Sequence, residues 1–179
     1  MESAMKHPLI AAALAISAAS PSLGDTFSIT VTNTLAEELL APIVVTSAAN
    51  DGHFFDGSYV TPAAETQILT GDPGMVVASI GADGAAVGHG SDGPPGVLLA
   101  AGKSVTFEFE SDATAFRILA MVAPTMVPDN YVSNVVDVHG TDEATVTLDR
   151  FDIGHDEGTR ATARIAQGGA TATIVRTGM

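Results

Sequence analysis

A mainly β protein, an antiparallel β-sandwich with one or two short helical inserts, is the fold class the sequence predicts. Three observations predict it. Two stretches alternate apolar and polar residues with period two: Thr26 to Asn33, and Ser104 to Glu110, where Val105, Phe107 and Phe109 interleave with Thr106, Glu108 and Glu110. That period places one set of side chains on one face of a half-buried strand. Alanine, valine, threonine and glycine dominate while aromatics are few, a composition of short strands and tight turns more than of a helical bundle. Turn signals such as Asn50-Asp51-Gly52 and Asp56-Gly57 recur at short intervals.

The chain opens on a segment that reads as a secretory signal, residues 1–24. Lys6 and His7 form a short basic start, Leu9 to Ile16 an apolar run, and Ser22-Leu23-Gly24 a small-residue cleavage site. The run is too short to span a bilayer, so export with cleavage near Asp25 is expected, leaving 25–179 as one β-sandwich domain without a membrane span. After the first strand, Pro42 to Thr46 is apolar at alternate and intervening positions, which marks a strand buried on both faces. His53-Phe54-Phe55 follows, two adjacent rings that can serve the core on one side and a loop on the other.

Thr61-Pro62 places a capping residue before a proline at the first helical position, and Asp72-Pro73-Gly74 repeats the arrangement. Two short helices are predicted; the β-branched residues of Met75 to Ile80 keep a strand open for the second. Gly81 to Gly96 is expected to be a flexible surface loop. It lacks the lysine of a phosphate loop, and Pro94-Pro95 stand where a helix would have to start. His89, Ser91 and Asp92 in that loop do not make a catalytic triad, which is a spatial constellation that neighbours on one loop rarely form. Phe116 to Val122, Tyr131 to Val138 and Ala144 to Leu148 are the next strands. Arg160 to Ile165 and Thr171 to Arg176 are read as a hairpin turning at Gln167-Gly168-Gly169.

At 179 residues the chain is large enough for a two-layer core, and with no cysteine that core must hold without disulfides. The formal net charge of −14 survives loss of the signal, since Glu2 and Lys6 cancel. Such a surface repels nucleic acid and anionic lipid and favours cations, although salt adaptation produces the same excess.

Two strand ends run into aspartates: Asp129 after one, and Asp152, Asp156 and Glu157 around another. Asp152 and Asp156 flank Gly154, which lets the backbone turn and aim both side chains inward. Calcium takes six to eight oxygen ligands in a forgiving geometry, so loop carboxylates of this kind are candidate calcium ligands. The spacing is not that of an EF-hand, whose register would need ligands at Glu157 and Ala163. The competing reading has Asp129, Asp152 and Asp156 capping turns through backbone amides. His53, His89, His139 and His155 lack metal-ligand spacing, and His155, inside the aspartate loop, is the one placed to take part. Asp137, Asp149, His155 and Glu157 stay open as further ligands.

The segments Val127-Pro128-Asp129-Asn130-Tyr131-Val132 and Phe151-Asp152-Ile153-Gly154-His155-Asp156-Glu157-Gly158 resemble the P-D-W-F-V-G and Y-D-A-G-T-D-S-G patterns of the spondin domain, an adhesion module that also occurs as a stand-alone secreted bacterial protein. The resemblance extends loosely from Thr26 to Gly158. It implies a C2-like sandwich with a calcium ion held by Asp129, Asp152 and Asp156. The chain departs from the pattern at Asn130, at Ser133, and at Val135, where the family has an acidic residue; Asp137 lies two residues out of register with it. The function expected is a secreted, non-catalytic, calcium-binding module for adhesion, with an extracellular protein or glycan as partner. The alternatives are a hydrolase or lyase using Asp152 and Asp156 as acid and base, or a structural envelope or matrix protein. With two tyrosines and no tryptophan, a sugar-cleaving site is poorly equipped.

Overall fold

The computed structural model describes residues 24–123 and 129–178. The expected signal segment, apart from Gly24, lies outside the described residues, as do Val127 and Pro128 of the first spondin-like motif. The strands are β1 (Asp25–Asn33), β2 (Leu39–Leu40), β3 (Ile43–Ser47), β4 (Phe55–Asp56), β5 (Tyr59–Val60), β6 (Ala85–Gly88), β7 (Ser104–Ser111), β8 (Ala115–Ala123), β9 (Asn130–Asp137), β10 (Glu143–Asp152) and β11 (Ala163–Gly178). Two helices, α1 (Pro62–Thr70) and α2 (Gly74–Ile80), follow the β4-β5 hairpin.

The strands form one antiparallel path, β6-β3-β8-β9-β10-β11-β1-β7, with β2 added alongside β8. The path folds over so that its halves face each other. Phe27 of β1 meets Phe116 of β8 edge to face at 4.8 Å, and Phe109 of β7 meets the same ring at 5.9 Å, although neither strand neighbours β8 in the sheet. The two ends of the path also approach. A Cβ on Gly88 of β6 would stand 2.2 Å from the ring of Phe107 in β7, so only glycine lets these edges come this close. The fold is a β-sandwich close to closing as a barrel.

Two cores lie on opposite faces of this sheet. Phe27, Ile29, Val31, Ile43, Val45, Ile118 and Val132 fill the space between the halves. Val44, Leu119 and Tyr131, the alternate residues of β3, β8 and β9, point the other way and are covered by Phe54, Ala64, Ile68 and Val76. This is why Pro42 to Thr46 is apolar throughout: its strand has the sandwich on one side and a helical layer on the other. Phe54 is fully buried in the second core as expected, whereas Phe55, expected to serve a loop, packs half-buried against the same core beside Tyr131.

α1 forms where its capping signal places it, and α2 starts one residue later than its signal implied, at Gly74 with Pro73 in the cap position. Thr61 Oγ1 accepts from the Ala64 N–H at 3.2 Å, Pro62 occupies the first turn, and Gly71 ends α1 at φ 77°. Asp72 Oδ1 accepts the Gly74 N–H at 2.9 Å at the start of α2, which resolves Met75 to Ile80 as helix.

Two expectations are corrected. Gln167-Gly168-Gly169 does not turn a hairpin: β11 runs straight through it for 16 residues, paired with β10. Gly168, at φ 73°, gives its N–H to Asp149 Oδ1 at 3.2 Å where the register shifts between Leu148 and Arg150. A Cβ on Gly169 would sit 2.6 Å from Val132. The glycines therefore serve a β-bulge and a close approach to β9. Nor is Gly81 to Gly96 simply a surface loop: it contains β6, paired with β3 from Ile43 opposite Gly88 to Thr46 opposite Ala85. Asp92 ties down the rest, accepting from Lys103 Nζ and the Ala100 N–H.

Candidate metal centre

Pairing of β9 with β10 sets Asn130 opposite Asp152 and Tyr131 opposite Phe151. Beyond the last pair the Ile153 N–H donates to the Asp129 carbonyl at 3.2 Å, so the two predicted aspartate segments end side by side. The chain then makes a tight loop. Gly154 has φ 62°, its N–H bonds Asp152 Oδ1, and its carbonyl accepts from the Thr159 and Arg160 N–H groups at 2.9 and 3.1 Å. A Cβ there would lie 2.1 Å from Thr159 Oγ1. Glycine is therefore required twice over, by conformation and by space. The far side of the loop is fastened to α1, where Glu65 takes an ion pair from Arg160 and faces His155 Nδ1 at 3.4 Å.

This loop brings one carboxylate oxygen each of Asp129, Asp152, Asp156 and Glu157 within 4.8 Å of one another. The three aspartates expected to converge do so, and Glu157, which the sequence left open, joins them. The other open candidates stand elsewhere. Asp137 caps the His139 N–H at 2.7 Å, Asp149 takes Arg164 and the Gly168 N–H, and His155 is engaged with Glu65. His53 faces Ser79 Oγ at 3.1 Å, while His89 and His139 are exposed.

Asp129 is the member that defines the site. It is fully buried; its Oδ1 accepts from Asn130 Nδ2 at 3.0 Å, and among the described residues its Oδ2 has no hydrogen-bond partner. A buried acceptor left unmade costs about 1–3 kcal/mol, more if charged. Burial, reinforced by the charges of Asp152 and Asp156, pushes the Asp129 carboxyl above its ordinary value. Asp156 and Glu157, adjacent carboxyls in the loop, compete for one proton, which holds Asp156 below its ordinary value and lifts Glu157 above its own. Four convergent carboxylates, one of them buried with a single oxygen unpartnered among the described residues, form an acidic cluster with the chemistry to hold a metal ion.

The same segment builds a second feature on the outer face. Phe151 stacks on Tyr131 with centroids 5.2 Å apart and planes at 18°, and Tyr131 hydrogen-bonds Thr162 through its hydroxyl. Burial pushes the Tyr131 phenol up to about 12. Asp51 grips Arg117 with both oxygens, at 2.8 and 2.6 Å, beside this stack. Neither contact was legible in the sequence, since Asp51 and Thr162 lie 66 and 31 residues from their partners.

No protein-family model matches the chain, and no curated protein matches it. Among the described residues no helix is long and apolar enough to cross a membrane.

Proposed function

We propose that this chain is an exported, calcium-ordered binding module of the spondin type, a C2-like sandwich that presents its loop end to an extracellular protein or glycan without catalysing a reaction. The observation that carries the reading is a fully buried Asp129 that converges with three other carboxylates and has one oxygen without a hydrogen-bond partner among the described residues. A cation supplies what that oxygen lacks. Oxygens around calcium stand 2.3–2.6 Å from the ion, so ligands on opposite sides are about 4.6–5.2 Å apart, against about 4.0–4.2 Å for magnesium. The four oxygens, all within 4.8 Å of one another, are close enough for one calcium ion to reach them all. The quoted motif resemblance supports the same ion at the same three aspartates.

The test is a calorimetric calcium titration of the protein, with magnesium as comparator. Calcium should bind at a single site in preference to magnesium, and Asp129→Asn should abolish the heat. A flat titration at millimolar calcium would make these aspartates turn caps.

A further inference from the structure

Phe55, Tyr131 and Phe151 wall a cavity of about 370 Å³ on the outer face of the sheet, with Arg117, Asp51 and Thr162 supplying its polar groups. We propose that this cavity binds a neutral saccharide ring, and that its affinity rises with calcium, a dependence that rests on reading the carboxylate cluster as a calcium site. The volume falls in the range of small-ligand pockets, about 300–1,000 Å³, and its make-up follows their pattern of aromatic walls with a few fixed polar groups.

The polar groups select the ligand class. Arg117 is not free to take an anion. Its Nε and Nη2 donate to the two oxygens of Asp51, its Nη1 donates to Ser133 Oγ at 3.2 Å, and its guanidinium carbon stands 5.4 Å from the centroid of the Phe55 ring. An anion would meet the Asp51 carboxylate that already neutralises the guanidinium, and a cation would meet the guanidinium itself, while two of the five Arg117 N–H donors, unpaired among the described residues, stay free for a neutral acceptor. A neutral ligand meets neither obstacle. It finds donor and acceptor side by side in the Arg117–Asp51 pair, a hydroxyl on Thr162, and the half-buried rings of Phe55 and Phe151. Vicinal hydroxyls on one edge and C–H groups on one face are what a pyranose ring offers to such a surface.

The link to the cation is built into the chain. One twelve-residue stretch, 151–162, contributes Phe151 and Thr162 to the cavity at its two ends and Asp152, Asp156 and Glu157 to the carboxylate cluster between them. A cation that draws those carboxylates together fixes both ends of the stretch, so the ligand no longer has to order them itself.

Saturation-transfer NMR on the whole protein tests this, with methyl glycosides of neutral hexoses as probes and glucuronate and glucosamine as charged comparators, in calcium and in chelator. The neutral glycosides should show saturation in calcium and bind at least about fivefold more weakly in chelator, the lower range of measured site-to-site coupling. Thr162→Val and Phe55→Ala should remove the saturation while leaving the calcium-induced rise in melting temperature intact. No saturation by any neutral glycoside, in protein whose melting temperature responds to calcium, overturns the saccharide site and leaves the calcium reading standing. Preference for a charged sugar overturns the argument from the Arg117–Asp51 pair. Saturation unaffected by chelator overturns the coupling. If calcium does not change the melting temperature, the calcium reading fails by itself, and saturation by the neutral glycosides decides the cavity.

Discussion

Asp129→Asn probes the cluster at the atom with most to gain from a cation. The substitution is nearly isosteric and keeps an oxygen for Asn130 Nδ2, but it removes a fully buried carboxyl opposed by Asp152 and Asp156. In chelator the variant should be as stable as wild type or more so. The gain is bounded by the cost of an unsatisfied buried acceptor, about 1–3 kcal/mol. In calcium the order should reverse. An ion that binds only the folded state adds RT ln(1 + [L]/Kd), about 2.7 kcal/mol at a hundredfold excess over Kd. For a domain of this size each kcal/mol moves the melting temperature by about 2–4 °C, so wild type should rise by about 5–10 °C and the variant by little. The assay is a pair of thermal melts for each protein, with calcium and with chelator at matched ionic strength. A wild-type curve indifferent to millimolar calcium, or a variant that keeps the full increment, would refute the reasoning.

The same carboxyl sets a pH dependence. A carboxyl raised in the folded state holds its proton more tightly there than in the unfolded chain, so the stability it contributes is present below the unfolded value, about 4, and is lost as pH rises through the folded one. In chelator the melting temperature should therefore climb as pH falls from neutrality towards the unfolded value. It should drop below about pH 4 as Glu38, Asp92 and Asp149 take up protons, since Arg150, Lys103 and the Gly168 N–H respectively hold these low in the fold. Calcium should abolish the upper limb, and a chelator curve with no rise anywhere between neutrality and about pH 4 would contradict the burial argument. Gly154→Ala should cost about 1–3 kcal/mol for a side chain at φ 62°, with a further cost from Thr159, and should weaken calcium binding. An unchanged melt and an unchanged calcium titration would show that the loop does not need this turn.

What the sequence made legible is what local pattern controls. Alternation placed β1 and β7, capping residues placed α1 and α2, and paired aspartates at strand ends located the cluster. The glycines misled, because glycine marks either a turn or a close approach and the two differ only in what lies opposite. At Gly88 it was the Phe107 ring and at Gly169 it was Val132, both brought there by pairings distant in sequence. Glu157 was visible as a neighbour of Asp156, but its direction depends on the φ values of Gly154 and Gly158. The aromatic cavity had no local signal at all, since its walls come from four separate segments.

The place of β1 between β7 and β11 has a consequence for how the protein is made. Ile29 pairs with Phe107 on one side and Ile174 on the other, so the earliest strand waits for the last one. Until β11 has been synthesised, β1 has one neighbour at most, and the core around Phe27 stays open along β11. Contacts closed over such separations are slow to form, so the pairing of β1 with β11 is expected late in folding. A chain truncated before Ala163 would lack the strand that joins β10 to β1, dividing the sheet path in two and leaving an edge on each part.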